Sequence, residues 1–392
     1  MSERRGLNSS DPSTGSDASS ITRKARIAEI YLNTTQLEQL PDTVILGRSL
    51  NLRSVISTTS SFSQLVQTVR NRPHLQQINQ IGVGLQGVVF ERVGKEPVLK
   101  KEKPGNETLS SNLRKEYTIH CQVSATFDRY QLLTNSEALV PKALRFIPKT
   151  GDELFWEELL PKLPREYRTR DNSMLLQRIL PLPKVVRRAL INEFITADIS
   201  QASALLADPK NKHCLARVYL GKENGTQSHE SPLRNFPMYL DNMNQIGIDT
   251  IKLASALGKA YATLHWGAGV NGDDIEFVLG TTAEQRPSGN PPDFQHRAVC
   301  LFLLDFGQCD IVDLSQESET VYQAFKGAMV TGDNQNFIPH ANQPELFAAF
   351  KEGYSAAGTI ILADKRLDSK FDMKEFIQQY EDSTGKTEGE LL

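Results

Sequence analysis

The sequence predicts a two-lobed α+β protein, and three observations predict it. Short strands separated by turns dominate over residues 77–180, helical spacing of apolar residues dominates over 181–375, and the step Pro181-Leu182-Pro183 marks the change. At 392 residues the chain exceeds what one hydrophobic core usually fills, so two packed lobes with peripheral segments follow from size alone. Hydrophobic residues make up 39% of the chain, a globular rather than a disordered composition.

Taken in order, residues 1–20 are polar and rich in Ser, Asp and Gly, and read as a disordered tail without the apolar stretch of a signal peptide. Residues 21–76 form an extension expected to be partly helical. Ile27, Ile30, Tyr31 and Leu37 have mixed helical spacing over 21–40, a Ser/Thr-rich stretch runs from Val44 to Phe62, and Leu65, Val66 and Val69 suggest another helix ending near Pro73. The first lobe then opens with a β-hairpin: Val88-Val89-Phe90-Glu91-Arg92-Val93, a turn at Gly94-Lys95-Glu96-Pro97, and Val98-Leu99-Lys100. Leu109, Leu113, Glu116, Tyr117 and His120 recur at helical intervals, which places Glu116 on an apolar helix face where a carboxylate needs a buried partner. An interior strand, Met174 to Leu180, leads into the proline step.

The second lobe begins with a helix from Lys184 to Ile195 and a strand at Leu215–Leu220. A longer helix carries Leu253, Leu257, Ala260, Tyr261 and Leu264 on one face; Asp249 or Thr250 can cap its start, and Gly267 and Gly269 end it. Phe277-Val278-Leu279 and Val299–Leu304 read as strands around a loop from Thr281 to Arg297 that contains Pro287, Gly289, Pro291 and Pro292. Phe325, Leu346, Phe347, Phe350 and Tyr354 suggest further helices, and residues 376–392 read as a charged tail.

Charge and cysteine content narrow the function classes. With 44 basic and 47 acidic residues the net charge is −3, which gives no electrostatic case for nucleic acid or an anionic membrane. Cys121, Cys214, Cys300 and Cys309 are widely spaced, with neither a C-x-x-C pair nor zinc-type His/Cys spacing, and read as reduced intracellular thiols. No apolar run reaches membrane-spanning length. A soluble cytoplasmic protein is expected, with a nuclear location left open.

The motif that carries chemistry is Gly82-Val83-Gly84-Leu85-Gln86-Gly87, followed by Val88-Val89-Phe90. Glycines allow a hairpin backbone to lie close over phosphates. In a dinucleotide site of the G-x-G-x-x-G type a helix follows the glycines; here a strand follows, and Lys100 and Lys101 stand where an acidic ribose ligand is expected. An ordinary hairpin turn is the competing explanation of the glycines alone. Lys100, on the third strand of the hairpin, can meet α- and β-phosphates, and Glu116 can hold it in place; Lys101 and Glu107 are the less favoured substitutes. Asp305 leaves the apolar strand Leu303-Leu304 and can hold magnesium, its bland alternative being an aspartate that starts a turn. His265 and His120 read as structural histidines on apolar helix faces.

With these residues in hand, the chain resembles the protein-kinase-like superfamily, which also contains aminoglycoside and choline phosphotransferases. Arg217-Val218-Tyr219-Leu220-Gly221, Leu233-Arg234-Asn235-Phe236-Pro237, Leu264-His265-Trp266, Asp274-Ile275-Glu276-Phe277-Val278-Leu279-Gly280 and Leu304-Asp305-Phe306 resemble a fungal family within it, catalogued as a domain of unknown function and sometimes labelled a zinc-finger protein. The resemblance covers roughly residues 77–360 and implies a bilobal protein-kinase-like fold without an established reaction.

Kinase catalytic loops space a base aspartate and a metal-binding asparagine as D-x-x-x-x-N. Alignment of the shorter loop here puts Asp274 at the base position and Phe277 at the asparagine position. Phenylalanine cannot ligate magnesium, so either Glu276 or Asp273 substitutes through a rearranged loop or Asp305 alone binds the metal, while a solvated acidic turn is the bland reading of Asp273 and Asp274. The resulting expectation is an ATP- and Mg2+-dependent phosphotransferase. Gly82, Gly84 and Gly87 would cover the phosphates, Lys100 with Glu116 would orient them, Asp305 and Glu276 would hold the metal, and Asp274 would take the proton of an acceptor hydroxyl. A small-molecule acceptor is favoured, because no A-P-E segment follows Gly307. The alternative expectation is a pseudokinase that binds nucleotide weakly or not at all and serves as an interaction or regulatory module through its N-terminal extension.

Overall fold

A computed structural model of the chain describes residues 31–58, 78–84, 86–93, 95–104, 113–225, 233–284 and 293–390. The tail 1–20, the Leu65–Val69 helix and Glu107 lie outside the described residues.

The extension contributes β1 (Tyr31–Asn33), α1 (Thr34–Leu37), α2 (Asp42–Ser49) and β2 (Val55–Ser57). Helical spacing through Leu40 is thus broken by a strand, and the Ser/Thr-rich stretch from Val44 begins as helix. The reason is nonlocal: β1 pairs parallel with β2, and β2 pairs antiparallel with a strand some 240 residues further on, at Arg297↔Ile56. Leu37, Ile45, Leu46, Leu50 and Ile56 are buried in the main core, so this part of the extension is built into the body.

The first sheet is antiparallel throughout, in the order β3 (Ile78–Val83), β4 (Gly87–Arg92), β5 (Pro97–Glu102), β8 (Ser173–Gln177), β7 (Ala143–Ile147). One side of it buries its own cluster, with Phe90, Leu99 and Ile147 against Trp156 from α4 (Glu153–Leu159). Against the sheet lies α3 (Leu113–Tyr130), whose buried face carries Glu116, Ile119, His120, Val123 and Phe127, the spacing its sequence predicts. A short strand before β7, β6 (Ala138–Leu139), leaves this sheet and pairs with the second one.

The proline step is tied rather than free. Leu180 and Thr281 exchange backbone hydrogen bonds of 2.9 and 2.8 Å, so the strand leaving the first sheet is fixed to the second as it crosses.

The second sheet runs β1-β2-β12-β11-β9-β10, with β9 (Ala216–Tyr219), β10 (Phe236–Tyr239), β11 (Glu276–Glu284) and β12 (Asp293–Leu304). Between the sheets in sequence come α5 (Lys184–Phe194) and α6 (Ile199–Ala207). After β10 follow α7 (Leu240–Gln245) and α8 (Thr250–Ala262), the latter capped by Asp249, which accepts from Lys252 N at 2.9 Å. The chain continues through a wide turn, Thr263–Ala268, to Gly269 at φ +64°. The C-terminal part is helical: α9 (Ser318–Met329), α10 (Asn334–Phe337), α11 (Pro344–Lys365) and α12 (Met373–Glu390).

Helices α8 and α11 pack at backbone contact. A Cβ on Gly258 would overlap the Phe350 carbonyl oxygen, and one on Gly353 would overlap that of Ser255. Trp266 centres an aromatic cluster with Phe325 at 5.0 Å, Phe371 at 5.1 Å and Phe376 at 5.5 Å. The expected charged tail from 376 is therefore helix as far as Glu390, because Phe376 and Tyr380 bury completely against this cluster and α11. The architecture is a mixed α+β arrangement with a curled sheet and a helical C-terminal part.

Candidate functional site

Between the two sheets lies a cleft of about 420 Å3. Its lining includes every site residue expected from sequence: Gly82, Gly84, Gly87, Lys100, Glu116, Asp274, Glu276 and Asp305. One wall and the roof come from the first sheet, and the floor from β9, β11 and the end of β12.

Strand alternation decides between the two adjacent lysines. Lys100 and Lys101 sit on opposite faces of β5. Lys101 is fully buried on the face away from the cleft, where Asp171 and Thr169 receive its ammonium. Lys100 enters the cleft, with Nζ 2.6 Å from Glu116 Oε1 and 3.1 Å from Asp305 Oδ1. Burial alone would lower the Lys100 ammonium, but Glu116 and Asp305 outweigh it and hold the group well above its ordinary value. Burial pushes the Glu116 carboxyl up, and Lys100 opposes that shift. Glu116 Oε2 is buried without a hydrogen-bond partner among the described residues.

The glycine turn closes over this centre. Gly84 N donates to Gly87 O at 2.9 Å, a Cβ on Gly87 would stand 2.7 Å from the Lys101 carbonyl oxygen, and a Cβ on Gly84 would stand 4.0 Å from Asp305 Oδ2. The Gln86 side chain lies against Gly307, where any Cβ would overlap it.

The acids of the floor are held by an unusually constrained backbone. Asp305 and Asp274 both have left-handed φ, +65° and +55°, conformations that cost a non-glycine residue of order 1 kcal/mol and persist only where the surroundings impose them. The surroundings here are explicit. Asn271 exchanges backbone and side-chain bonds with Asp310, at 3.0 and 2.8 Å. Asn334, fully buried, donates to Gly272 O at 2.7 Å. His265 is enclosed between Tyr354 Oη at 2.8 Å and Asn271 O at 3.1 Å, stacked on Phe325, and burial lowers its pKa to about 3. It is a neutral strut for this loop, the structural place expected of it. His120 is likewise buried, against Phe306 and Pro141 O, with its pKa lowered to about 4 by burial.

Phe277 departs from its expected place. In β11 it faces away from the cleft, fully buried against Tyr261 at 5.4 Å and Phe337 at 5.9 Å, while its neighbour Glu276 faces in. Alternation along β11 puts Glu276, the expected substitute for Phe277, on the cleft side. Glu276 pairs with Arg217, which also reaches Asp333 at 3.5 Å and Tyr219 Oη at 3.0 Å. Burial raises Glu276 to about 7, with Arg217 opposing and Asp305, Asp274 and Asp333 adding to the shift. Asp274 is raised by burial first and then by Asp305, Asp333 and Asp273. A basic carboxylate beside two others is suited to proton acceptance and to oxygen ligation of a hard cation. Among the described residues no three His, Cys, Asp or Glu side chains converge closely enough to make a metal site by themselves.

Val89, Val98, Leu176, Ile179, Leu215 and Leu304 line an apolar slot within the cleft. Sequence reasoning assigned no role to Arg217, Arg234, Asn235, His213 or Asp333, all of which line it. Only pairing of β9 with β11 (Arg217↔Val278) brings Arg217 beside Glu276, and only the turn before α10 brings Asp333 there.

A comparison with protein-family models found no match, and no curated protein matches the chain. No helix among the described residues is long and apolar enough to cross a membrane.

Proposed function

We propose that the chain has a bilobal protein-kinase-like fold and acts as an ATP- and magnesium-dependent phosphotransferase on a hydroxyl acceptor. The observation that carries this reading is the bridging position of Lys100 between Glu116 and Asp305 under a glycine turn, with Asp274 across the same cleft. The adenine ring would occupy the apolar slot, and the triphosphate would lie beneath Gly82–Gly87 with Lys100 at its α- and β-phosphates. Asp305 and Glu276 offer the oxygen donors that magnesium takes, one or two carboxylates sufficing where phosphates complete the shell, and the ion supplies charge neutralisation there. Asp274 accepts the proton of the acceptor hydroxyl. The hydroxyl oxygen bonds to the γ-phosphorus, the bond from that phosphorus to the β–γ bridging oxygen breaks, and ADP leaves with the electron pair.

A second reading rests on the pair Arg217–Glu276. In this arrangement Glu276 is engaged by Arg217 and Lys100 by two carboxylates, so neither pair needs a ligand to hold it. A nucleotide-binding or ligand-free interaction module would look the same.

Thermal unfolding of the full chain with ATP, with and without magnesium, separates the two, because a ligand that binds only the folded state raises the melting temperature. The phosphotransferase reading expects a magnesium-dependent rise that Lys100→Ala and Asp305→Ala abolish, and ATP turnover that Asp274→Asn removes while binding persists. No shift at millimolar ATP would overturn the enzyme reading.

A further inference from the structure

We propose that Arg234, with Asn235 beside it, forms an anion-binding subsite in the cleft separate from Lys100, and that the acceptor carries a carboxylate or phosphate group that docks there. The second half of this statement rests on the phosphotransferase reading; the first does not.

Three observations carry it. Arg234 lines the cleft, its Nε is buried without a hydrogen-bond partner, and among the described residues it forms no ion pair. The charged groups around it account for one another. Arg178 pairs with Glu91 at 2.7 Å, and His213 is a further neighbour of that carboxylate, at 3.5 Å. Burial lowers His213 to about 4, so it is neutral at physiological pH, while burial at Glu91 is outweighed by its partners together, Arg178 first and the Asn79 hydrogen bond among them, which hold its carboxyl below the ordinary value. Asp208 is near enough to favour the charged form of Arg234 against burial, but its carboxylate caps the backbone of the following turn, accepting from Lys210 N at 2.8 Å. Asp208 therefore tempers the charge of Arg234 without contacting it, and the buried Nε has no partner among the described residues to compete with an anion that enters the cleft.

The segment that presents it is also pre-organised. Leu233 N donates to Asn211 Oδ1 at 2.7 Å; Asn211 is buried and in turn donates to Leu205 O at 2.8 Å. Phe236 N donates to Leu215 O at 2.7 Å, which starts the parallel pairing of β10 with β9. Between these two anchors Asn235, exposed and among the residues that line the cleft, adopts φ +55°, a left-handed conformation that asparagine tolerates. A guanidinium is a planar fork matched to carboxylate or phosphate oxygens, and an adjacent amide adds a donor. A nucleotide with its phosphates at Lys100 leaves this second anion position to another molecule, which is why it is assigned to the acceptor.

The test titrates inorganic phosphate and, separately, malonate into the full chain, followed by calorimetry and thermal shift, for the wild type, Arg234→Gln, Arg234→Lys and Lys100→Ala. Saturable binding weakened about tenfold in Arg234→Gln, partly kept in Arg234→Lys and changed less than about twofold in Lys100→Ala supports the subsite, the weakening being that expected for one charge-assisted hydrogen bond. The ratio of the two affinities then tells a phosphorylated acceptor from a carboxylic acid. Absence of saturable binding by either anion, or binding that Lys100→Ala removes and Arg234→Gln leaves intact, overturns it. Magnesium–ATP titrated into the same variants keeps the two claims apart. Anion binding that depends on Arg234 without any nucleotide binding leaves the subsite standing and removes the kinase reading. Nucleotide binding lost in Arg234→Gln and kept in Lys100→Ala would put the triphosphate at Arg234 and overturn the acceptor assignment.

Discussion

Replacing Lys100 by methionine separates a buried charge pair from a solvated one. The Lys100 side chain is 10% exposed and that of Glu116 2%, whereas that of Asp305 is 32% exposed and can recover hydration when the ammonium is removed. Glu116 cannot, and its Oε2 already lacks a partner, so the variant leaves an uncompensated buried carboxylate at a cost of about 3–5 kcal/mol at pH 8. Protonation relieves that cost. Burial holds the folded-state pKa of Glu116 above its unfolded value, and without Lys100 it rises further, so the folded variant binds the extra proton. Stability from this group is complete below the unfolded value and is lost as pH rises through the folded one. The deficit of Lys100→Met should therefore shrink at pH 5.5, by about 1.4 kcal/mol for each unit of pH spent inside that window. Urea unfolding at the two pH values measures it, read on Trp156 in the first sheet's cluster and Trp266 in the helical part, the chain's two tryptophans. A deficit below about 1 kcal/mol at pH 8, or one equal at both pH values, refutes a desolvated Lys100–Glu116 pair. Adding Glu116→Leu should return most of the loss, since an apolar replacement of both partners removes the stranded charge.

Glu276→Gln should flatten a stability loss that the wild type shows between the ordinary glutamate value of 4.5 and about 7. A raised folded-state pKa gives stability that is present below that window and lost above it, here at most about 3 kcal/mol, readable as urea midpoint against pH. Gly258→Ala forces α8 off α11 at the Phe350 carbonyl and should cost about 1–3 kcal/mol in thermal unfolding, where an unchanged melting temperature would contradict the backbone contact. Asp274→Asn should lower ATP turnover about 100- to 10,000-fold with little change in nucleotide affinity, and a parallel loss of affinity would argue against a base.

How far the site was legible depended on the range of the interaction. Lys100 and Glu116 could be found because strand alternation and helical spacing are local rules, and both residues obey them. The glycine turn was recognisable because a strand, not a helix, follows Gly87. That Phe277 packs away from the cleft against Tyr261 and Phe337 depends on residues far along the chain and is not written in any local pattern. The helix from Met373 was read as tail because its charged residues outnumber Phe376 and Tyr380, whose spacing matters only once Trp266 provides something to pack against.

By itself the sequence determined the glycine hairpin, the long helices at 184–195 and 250–262, the lysine–glutamate couple and the acid at the end of β12, because each follows from periodicity or from the chemistry of one residue type at one spacing. Tertiary structure alone decided that the N-terminal strands complete the second sheet, that Phe277 packs away from the cleft, and that Arg217, Asp333, Arg234 and Asn235 join it. Those placements arise from contacts between segments up to hundreds of residues apart, whose free energy comes from burial and pairing that exist only after the chain has closed on itself.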